Sequence, residues 1–349
     1  MSISTIGLVV HDGKPLAVAE AASARSWAQL KGIIVVELDV WSAPRVSAAQ
    51  AIAEAGKVDL IVTIGGDGTF LRGVAAAQAA DAPVLGVDVG RLGFLTEVQP
   101  RDLIEALDDA VAGQVTLESR LTLSVTANRP IDIPEGLEAL LQYGRGPKLP
   151  APAIRQESPK EAGWGVPLEV TALNDIVFEK LSRDRQASLG LYIDNTLFMT
   201  YSADALLVSS PTGSTAYSFA AGGPIVSPRA DVILFTPVAA HMAFDRSLVL
   251  ASDELITIRV LDQSGRVAMT VDGEVRGVLE PGDWVGVFAQ RWRVKLVRTR
   301  RPDFFRRVRD RFGLADAPAT RADGRPPLTY LPGSPVPEAL QHLHIPTID

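Results

Sequence analysis

The segment at residues 65–69, with the sequence GGDGT, combines three glycines with one carboxylate between a buried apolar run and a helix-like stretch. Glycines let the backbone turn sharply and bring peptide N–H groups close to an anion, and a helix that begins there adds the positive end of its dipole. Phosphate is the natural ligand of such a turn. Because a carboxylate repels phosphate unless a metal ion or a reacting hydroxyl lies between them, Asp67 is a candidate catalytic base. The alternative is a tight turn in which Asp67 caps the helix.

A second glycine-rich segment, residues 86–96 with the sequence GVDVGRLGFLT, follows the next apolar run. Glycines at the carboxyl end of a strand suit the crevice in which open α/β sheets bind ligands, although Phe94 is equally well explained as a core residue. No lysine lies near Asp67 in the sequence, and the chain has no P-loop of the form GxxxxGK[ST]. A phosphate site is therefore expected to use backbone amides and a metal ion.

Two further clusters lie in the second half of the chain. Asn174 and Asp175 interrupt a strand-like run, and adjacent side chains that accept hydrogen bonds suit the hydroxyls of a ribose or a metal ion. A turn at a strand edge is the alternative. Residues 212–217, TGSTAY, offer hydroxyls, amides and an aromatic ring at a helix start, as a nucleobase and its ribose need. The alternative is a loop that caps a helix.

The run from Arg291 to Arg311 is rich in Arg and Lys, which would suit a polyanion. The alternation of WRVKLVR at residues 292–298 instead predicts that these charges lie on the solvent-exposed face of a strand.

The elements that must position these residues follow from the apolar pattern. Stretches rich in Ala, Glu and Gln separate four short Val- and Ile-rich runs, at residues 5–11, 33–38, 58–64 and 83–88. This alternation predicts an α/β domain over residues 1–115, with a doubly wound, Rossmann-like parallel sheet.

From about Val115 the pattern becomes alternating and β-rich, which predicts a second, largely β domain over residues 116–290. A Pro-rich loop is expected at 129–167. Residues 316–349 have no apolar period and are predicted to form a disordered tail.

The composition excludes several classes of protein. Lys and Arg total 34 against 41 Asp and Glu, and the net charge of −7 argues against a nucleic-acid binder. Cysteine is absent, which excludes Cys-ligated zinc and suits a cytoplasmic protein, and the four histidines have no metal-binding spacing. The N-terminus is unlike a signal peptide, and no apolar run reaches ~18 residues, so no membrane partner is expected.

Taken together and in this order, the motifs resemble the NAD kinase family. They are GGDGT, GRLGFLTE at 90–97, the Asn-Asp pair, the long segment from Ala203 to Val226, HMAFDRSLVL at 241–250 and MTVDGE at 269–274. The resemblance implies the NAD kinase and diacylglycerol kinase type of two-domain architecture, in which residues 291–315 return to the first domain. The 129–167 loop is longer than the family pattern, and the 316–349 tail has no counterpart in it.

The resemblance also implies a reaction, in which the γ-phosphoryl group of ATP, with Mg²⁺, passes to the 2'-hydroxyl of the adenosine ribose of NAD. Polyphosphate is an alternative donor, and a homodimer or tetramer is expected. Asp67 matches the catalytic base. The positions that match substrate-binding residues are Gly68, Leu92, Phe94, Asn174, Asp175, Asp204, Thr212, Thr215, Ala216, Tyr217 and His241.

Two other classes of protein are alternatives for this sequence. A lipid kinase of the diacylglycerol or sphingosine type also carries GGDGT, but it needs access to a membrane, for which the chain has no evident basic amphipathic anchor. A dinucleotide sensor would bind NAD without turnover, and the presence of Asp67 argues against it.

Overall fold

The computed structural model describes residues 3–39, 52–54, 56–90, 93–134, 151–155, 165–182, 185–242, 244–300 and 303–315. The chain forms two compact units, Met1–Phe304 and Phe305–Asp349. The first unit contains two β-sheets and all the candidate site residues. In the second unit, the described residues belong mainly to one helix. The predicted tail at 316–349 and most of the 129–167 loop lie outside the described residues, so those predictions stay open.

The N-terminal part of the first unit is a parallel sheet covered by helices. Strand β1 (Thr5–Val10) pairs in parallel with β2 (Ile34–Glu37) and β3 (Leu60–Gly65), and β3 pairs in parallel with β4 (Val84–Asp88). The helices that cover it are α1 (Pro15–Lys31), α2 (Asp67–Ala80) and α3 (Leu103–Ala112), with a 3₁₀ turn at Pro100–Asp102. Two further described helices come later in the chain: α4 (Tyr217–Ala220), after a 3₁₀ turn at Thr212–Thr215, and α5 (Phe304–Phe312), of which all but the first residue belongs to the second unit. All four runs form strands, as expected from the sequence. Burial is confirmed for β1, β3 and β4, but it is wrong for β2, whose Ile34 is 63% exposed.

Both faces of strands β1, β3 and β4 are buried, as the centre of a doubly wound sheet requires. Alternate residues of one strand enter different cores: Leu60, Val62 and Ile64 pack with α1 and α3, whereas Ile61 packs with Phe70 of α2. Because side chains alternate along a strand, a continuous apolar run is what two covered faces demand.

The rest of the first unit is antiparallel and β-rich. Its strands are β5 (Thr116–Ala127), β6 (Val166–Pro167), β7 (Asp175–Lys180), β8 (Ala187–Ile193), β9 (Thr196–Ala203), β10 (Ala205–Ser209), β11 (Val232–Val238), β12 (Leu248–Ala251), β13 (Ile256–Val260), β14 (Val267–Val271), β15 (Glu274–Leu279) and β16 (Trp284–Arg298). The fold class predicted from the sequence, a parallel sheet followed by a β-rich region, is confirmed. The exact domain limits stay predictions.

The strands form two sheets that share one apolar core. The larger has the order β2-β1-β3-β4-β16-β13-β8-β9, with β5 paired to both β16 and β6, and the smaller has the order β12-β11-β10-β7-β14-β15. The core between them includes Phe178, Phe235 and Tyr201.

Strand β16 joins the parallel and antiparallel parts of the larger sheet. Its first half pairs with β13, its second half pairs in parallel with β4 through Leu296 and Val84, and β5 runs beside it with an irregularity between Ala289 and Arg293. One strand therefore connects the region that carries GGDGT with the β-rich region.

The prediction that the charges of residues 292–298 face solvent is wrong for one of them. Lys295 is exposed, but Arg298 is 2% exposed. The alternation breaks at Val297, which is also buried, and the Arg298 guanidinium meets the carboxylates of Glu97 and Glu118. A buried cation is tolerated because these anions lie beside it.

Candidate active site

The GGDGT segment forms the turn between β3 and α2. Gly65 ends the strand, and Gly66, with extended backbone, precedes the first helical residue, Asp67. A Cβ at Gly65 would overlap the Thr69 side chain, so this turn requires glycine. The helix has no side-chain cap. The capping interpretation of Asp67 is therefore wrong, and its carboxylate is used elsewhere.

The Asp67 carboxylate binds the segment at residues 94–96. Its Oδ2 accepts a hydrogen bond from Phe94 N at 2.9 Å, while Oδ1 accepts from Leu95 N at 3.2 Å and from the amide and hydroxyl of Thr96 at 3.3 Å. A Cβ at Gly93 would overlap both carboxylate oxygens. A carboxylate can accept about four hydrogen bonds. Among the described residues, Oδ2 accepts only the one from Phe94 N, so it can accept another.

Asp88 holds the same segment from the end of β4. Its buried carboxylate accepts hydrogen bonds from Gly90 N at 2.7 Å, from Gly93 N at 3.0 Å and from the Thr96 hydroxyl at 3.0 Å. Asp88 was not among the site residues predicted from the sequence. The sequence feature that could have identified it is its position at the end of the apolar run after GGDGT. The carboxyl ends of neighbouring parallel strands lie together, so Asp88 was to be expected beside Asp67.

Lys14 also lies at this edge of the sheet, although it is far from Asp67 in the sequence. The Lys14 Nζ is 3.9 Å from the position that a Cβ would take at Gly66 and 3.7 Å from the equivalent position at Gly90. The ammonium is half-buried and has no hydrogen-bond or ion-pair partner among the described residues. The phosphate site expected from the sequence, made of backbone amides and a metal ion, did not include Lys14, which follows β1, the neighbour of β3.

Asn174 and Asp175 lie at the start of β7, where one buried carboxylate fixes their backbone. Asp272, at the end of β14, accepts hydrogen bonds from Leu173 N at 2.9 Å, Asn174 N at 2.7 Å and Asp175 N at 3.1 Å. Asp272 belongs to the MTVDGE segment, to which the sequence analysis gave no role. Its contacts explain why a carboxylate is needed there.

The Asp175 and Asp272 carboxylates perturb each other. Burial raises the pKa of Asp175 to about 7, and the Asp272 charge adds to the rise. Burial likewise raises the pKa of Asp272 to about 6, against the lowering effect of its three backbone hydrogen bonds. Two buried carboxylates that repel each other retain a proton at a pH where isolated carboxylates have lost theirs.

The turn at residues 210–217 packs against the Asn174 segment. Ser210 N donates to Asn174 O at 2.9 Å, and Gly213 N donates to the Ser210 hydroxyl at 3.2 Å. Thr212 is buried, whereas Tyr217 is 42% exposed at the start of α4. The structure therefore brings this turn together with Asn174 and Asp175, with an aromatic ring accessible beside them.

Two contacts bring these clusters to the GGDGT helix. Arg72 of α2 forms an ion pair with Glu274, which follows Asp272 closely in the chain. Leu173 lies in the same apolar cluster as Phe70 and Leu95. The two glycine-rich segments, the Asn-Asp pair and the TGSTAY turn therefore form one candidate site.

Asp204 and His241 are not brought to this site. Asp204 precedes β10 and Thr212 follows it, and a strand of five residues spans roughly 17 Å. Asp204 instead pairs with Lys180 Nζ at 2.5 Å, and its side chain is 43% exposed. His241, which donates from its backbone to Ser202 O, lies at the same end of the strand. Leu92 lies outside the described residues.

Among the described residues, no group of three or more His, Cys, Asp or Glu side chains is arranged to hold a metal ion. The described helices include none that is long and apolar enough to cross a membrane.

Comparison with known proteins gives consistent results for sequence and fold. The model of the ATP-NAD kinase N-terminal domain matches residues 38–115, and that of the ATP-NAD kinase C-terminal domain matches residues 173–299. NAD kinase 1 of Streptomyces avermitilis is 53% identical to this chain, with 99% of this chain and 97% of that protein covered. The NAD kinase of Moorella thermoacetica is 36% identical, covering 78% and 76% respectively.

Two solved structures share the fold. Yeast NADH kinase complexed with NADH has a TM-score of 0.70 at 22% identity, covering 92% of this chain and 91% of that chain. An NAD kinase from Archaeoglobus fulgidus in complex with ATP has a TM-score of 0.59 at 20% identity, covering 88% and 96%.

Proposed function

This chain belongs to the NAD kinase family, and on that premise we propose how its residues divide the work of phosphorylating NAD. The enzyme transfers the γ-phosphoryl group of ATP to the 2'-hydroxyl of the adenosine ribose of NAD, which yields NADP. The match of both domain models argues against the lipid kinase alternative. A sensor without turnover is equally disfavoured by the close relation to named kinases.

The proposed catalytic base is Asp67. The observation that carries it is that, among the described residues, Oδ2 accepts a hydrogen bond only from Phe94 N and so can accept another. The 2'-hydroxyl donates its proton to Oδ2 as the hydroxyl oxygen bonds to the γ-phosphorus. The bond from that phosphorus to the β–γ bridging oxygen breaks, and ADP leaves with the electron pair. The amides of residues 94–96 hold the carboxylate in one orientation, which a positioned base requires.

The proposed donor site combines the GGDGT turn, including Gly68, with Lys14. Phosphoryl transfer depends mainly on positioning and on neutralising the charge of the phosphates. Backbone amides at the start of α2 and one ammonium supply part of that charge, and Mg²⁺ is expected to enter with ATP, held largely by phosphate oxygens and water. Parallel assays of NADP formation with Mg-ATP and with polyphosphate would identify the preferred donor.

Replacing Lys14 with Met should raise the KM for ATP about 10- to 100-fold, the usual effect of losing a hydrogen bond to a charged group. The KM for NAD should change much less, since Lys14 is assigned to the donor. Steady-state kinetics with each substrate varied in turn measures both values. Lys31→Met, which removes an exposed lysine paired with Asp108, is the matched control. Equal increases in the two KM values would contradict the assignment.

The proposed acceptor site consists of Asn174, Asp175 and the TGSTAY turn, with Phe94 nearby. The amide and carboxyl groups would bind ribose hydroxyls, and the exposed Tyr217 ring would stack on a base. Thr212, Thr215 and Ala216 belong to the turn that carries this ring.

Asp204 and His241 require a different proposal, because they lie at the far end of β10. We propose that they serve the NAD site of a neighbouring copy in a homodimer or tetramer. Strand β9 beside them is the last of its sheet and exposes Leu197 and Phe198, which suits an interface between copies. A cytoplasmic location stays a prediction.

Mixing two impaired variants tests this arrangement. Asp204→Ala alone should raise the KM for NAD roughly tenfold. When Asp204→Ala and Asp67→Asn chains are co-expressed with different tags, each mixed dimer should contain one site with both changes and one intact site. Its kcat/KM for NAD should then approach half of the parent value. A mixed assembly no more active than the average of the two variants would show that Asp204 does not act across copies.

A further inference from the structure

Four alternating charges form a buried chain of contacts beside the candidate site. They are Glu97, Arg298, Glu118 and Arg120, whose side chains are between 2% and 14% exposed. Arg298 Nη1 lies 3.0 Å from Glu97 Oε2, and Arg298 Nε lies 2.7 Å from Glu118 Oε2. The other oxygen of Glu118 pairs with Arg120 Nη2 at 2.9 Å. We call these four residues the ionic chain.

One end of the ionic chain holds the segment that binds Asp67. Arg298 Nη1 donates to Leu95 O at 3.2 Å, and Leu95 N is one of the donors to the Asp67 carboxylate. Glu97 directly follows Thr96, the next of those donors. The segment is therefore fixed by Asp67 on one side and by Arg298 on the other.

The other end of the ionic chain holds the TGSTAY turn. Arg120 Nη1 donates to the Thr212 hydroxyl at 3.2 Å. Arg120 lies on β5, opposite Val294 of β16, so its backbone is set by the central strands of the larger sheet. The proposed base and the proposed nucleotide-binding turn are thus joined through four side chains, three of which lie on the paired strands β5 and β16.

The side chains of the ionic chain are of types that fix the relative orientation of their partners. A guanidinium is planar and presents its donors in a rigid fork, so each arginine sets the angle between two partners. Burial raises the pKa of Glu118, but the two arginines outweigh that effect and hold it below its ordinary value. Burying charged groups costs more free energy of desolvation than their attraction recovers unless every charge is paired. A contribution to stability is therefore a weak reason for such a chain.

We propose that the ionic chain positions the Asp67-binding segment relative to the Thr212 turn, so that its residues are positioning residues for phosphoryl transfer. This inference rests on the roles proposed above for Asp67 and Thr212. Its specific consequence is that a change at Glu97, which is linked to Thr212 through the other three members of the ionic chain, alters how NAD is bound.

A double-mutant cycle on the KM for NAD tests the proposal. Glu97→Gln and Thr212→Val are close in shape to the parent residues and remove one charge and one acceptor respectively. In the parent background Glu97→Gln should raise the KM for NAD about fivefold, whereas in the Thr212→Val background the rise should be less than about twofold. If Glu97 and Thr212 are not coupled, Glu97→Gln raises the KM for NAD by the same factor in both backgrounds, and that result would overturn the proposal.

The control is Glu280→Gln, which breaks an exposed pair with Arg266 and should change neither background. If Glu97→Gln does not fold, as judged by its melting temperature, Glu118→Gln takes its place in the cycle. Glu118 pairs with Arg298 and Arg120 and is linked to Thr212 through Arg120. Failure of the Asp67 assignment is measured separately by Asp67→Asn, and the cycle remains valid whatever that variant does.

Discussion

Asp67→Asn should lower kcat by ~10²–10⁴, the usual contribution of positioned proton transfer. The amide group of Asn has negligible basicity, so the 2'-hydroxyl would lose its proton acceptor. Single-turnover measurements of NADP formation at saturating NAD and Mg-ATP report this step directly. NAD should still bind, as calorimetry would show, because its other contacts remain.

The control for Asp67→Asn must distinguish the loss of a proton acceptor from the loss of the hydrogen bonds that hold residues 94–96. Both oxygens of Asp67 accept backbone hydrogen bonds, so an Asn there turns its NH₂ group toward an amide donor and loosens residues 94–96. Asp88→Asn provides the comparison, since Asp88 anchors the same segment through Gly90 and Gly93. We expect Asp88→Asn to cost only about tenfold in kcat, consistent with a positioning effect. Equal losses in the two variants would mean that Asp67 acts as an anchor and is not the base.

Gly93→Ala should reduce kcat/KM by about 100-fold or more, because a small misplacement of catalytic groups is costly. The new methyl group would occupy the position of the Asp67 carboxylate, so either the carboxylate or the 93–96 segment must move. Overpacking of this kind costs about 1–3 kcal/mol, which a modest decrease in melting temperature would reveal.

Gly265→Ala is the matched control for Gly93→Ala. Its added Cβ would lie 3.4 Å from the Ser182 hydroxyl, which is near ordinary contact, and its backbone is not left-handed. Parent activity in Gly93→Ala together with an unchanged melting temperature would show that the two segments separate freely in solution.

Local features of this fold were predictable because their causes lie within a few residues. The GGDGT turn, the four parallel strands and the helix after Asp67 follow from apolar runs and glycine spacing. The carboxyl edge of the sheet was predictable as the ligand site for the same reason, since parallel strands end together.

The partners of individual side chains could not be predicted in the same way. Whether Asp67 caps its own helix or binds residues 94–96 depends on where a distant loop lies. Arg298 appeared to be a surface charge because only the approach of Glu97 and Glu118 makes its burial tolerable. The hydrogen bonds from the Asn174 segment to Asp272 depend on the pairing of β7 with β14, which could not be predicted from the sequence.

The position of β16 has a consequence for how the chain is made. Among the described strands this one is synthesised last, yet it lies between β4 and β13 in the larger sheet. At about 5–20 residues per second, Leu296 leaves the ribosome roughly 10–40 s after Val84, its partner. During that interval β4 has an open edge, the kind of surface that pairs with other chains and leads to aggregation. The nascent N-terminal region is therefore a natural client for a chaperone until β16 arrives, and the enzyme cannot assemble its site before β16 has been synthesised.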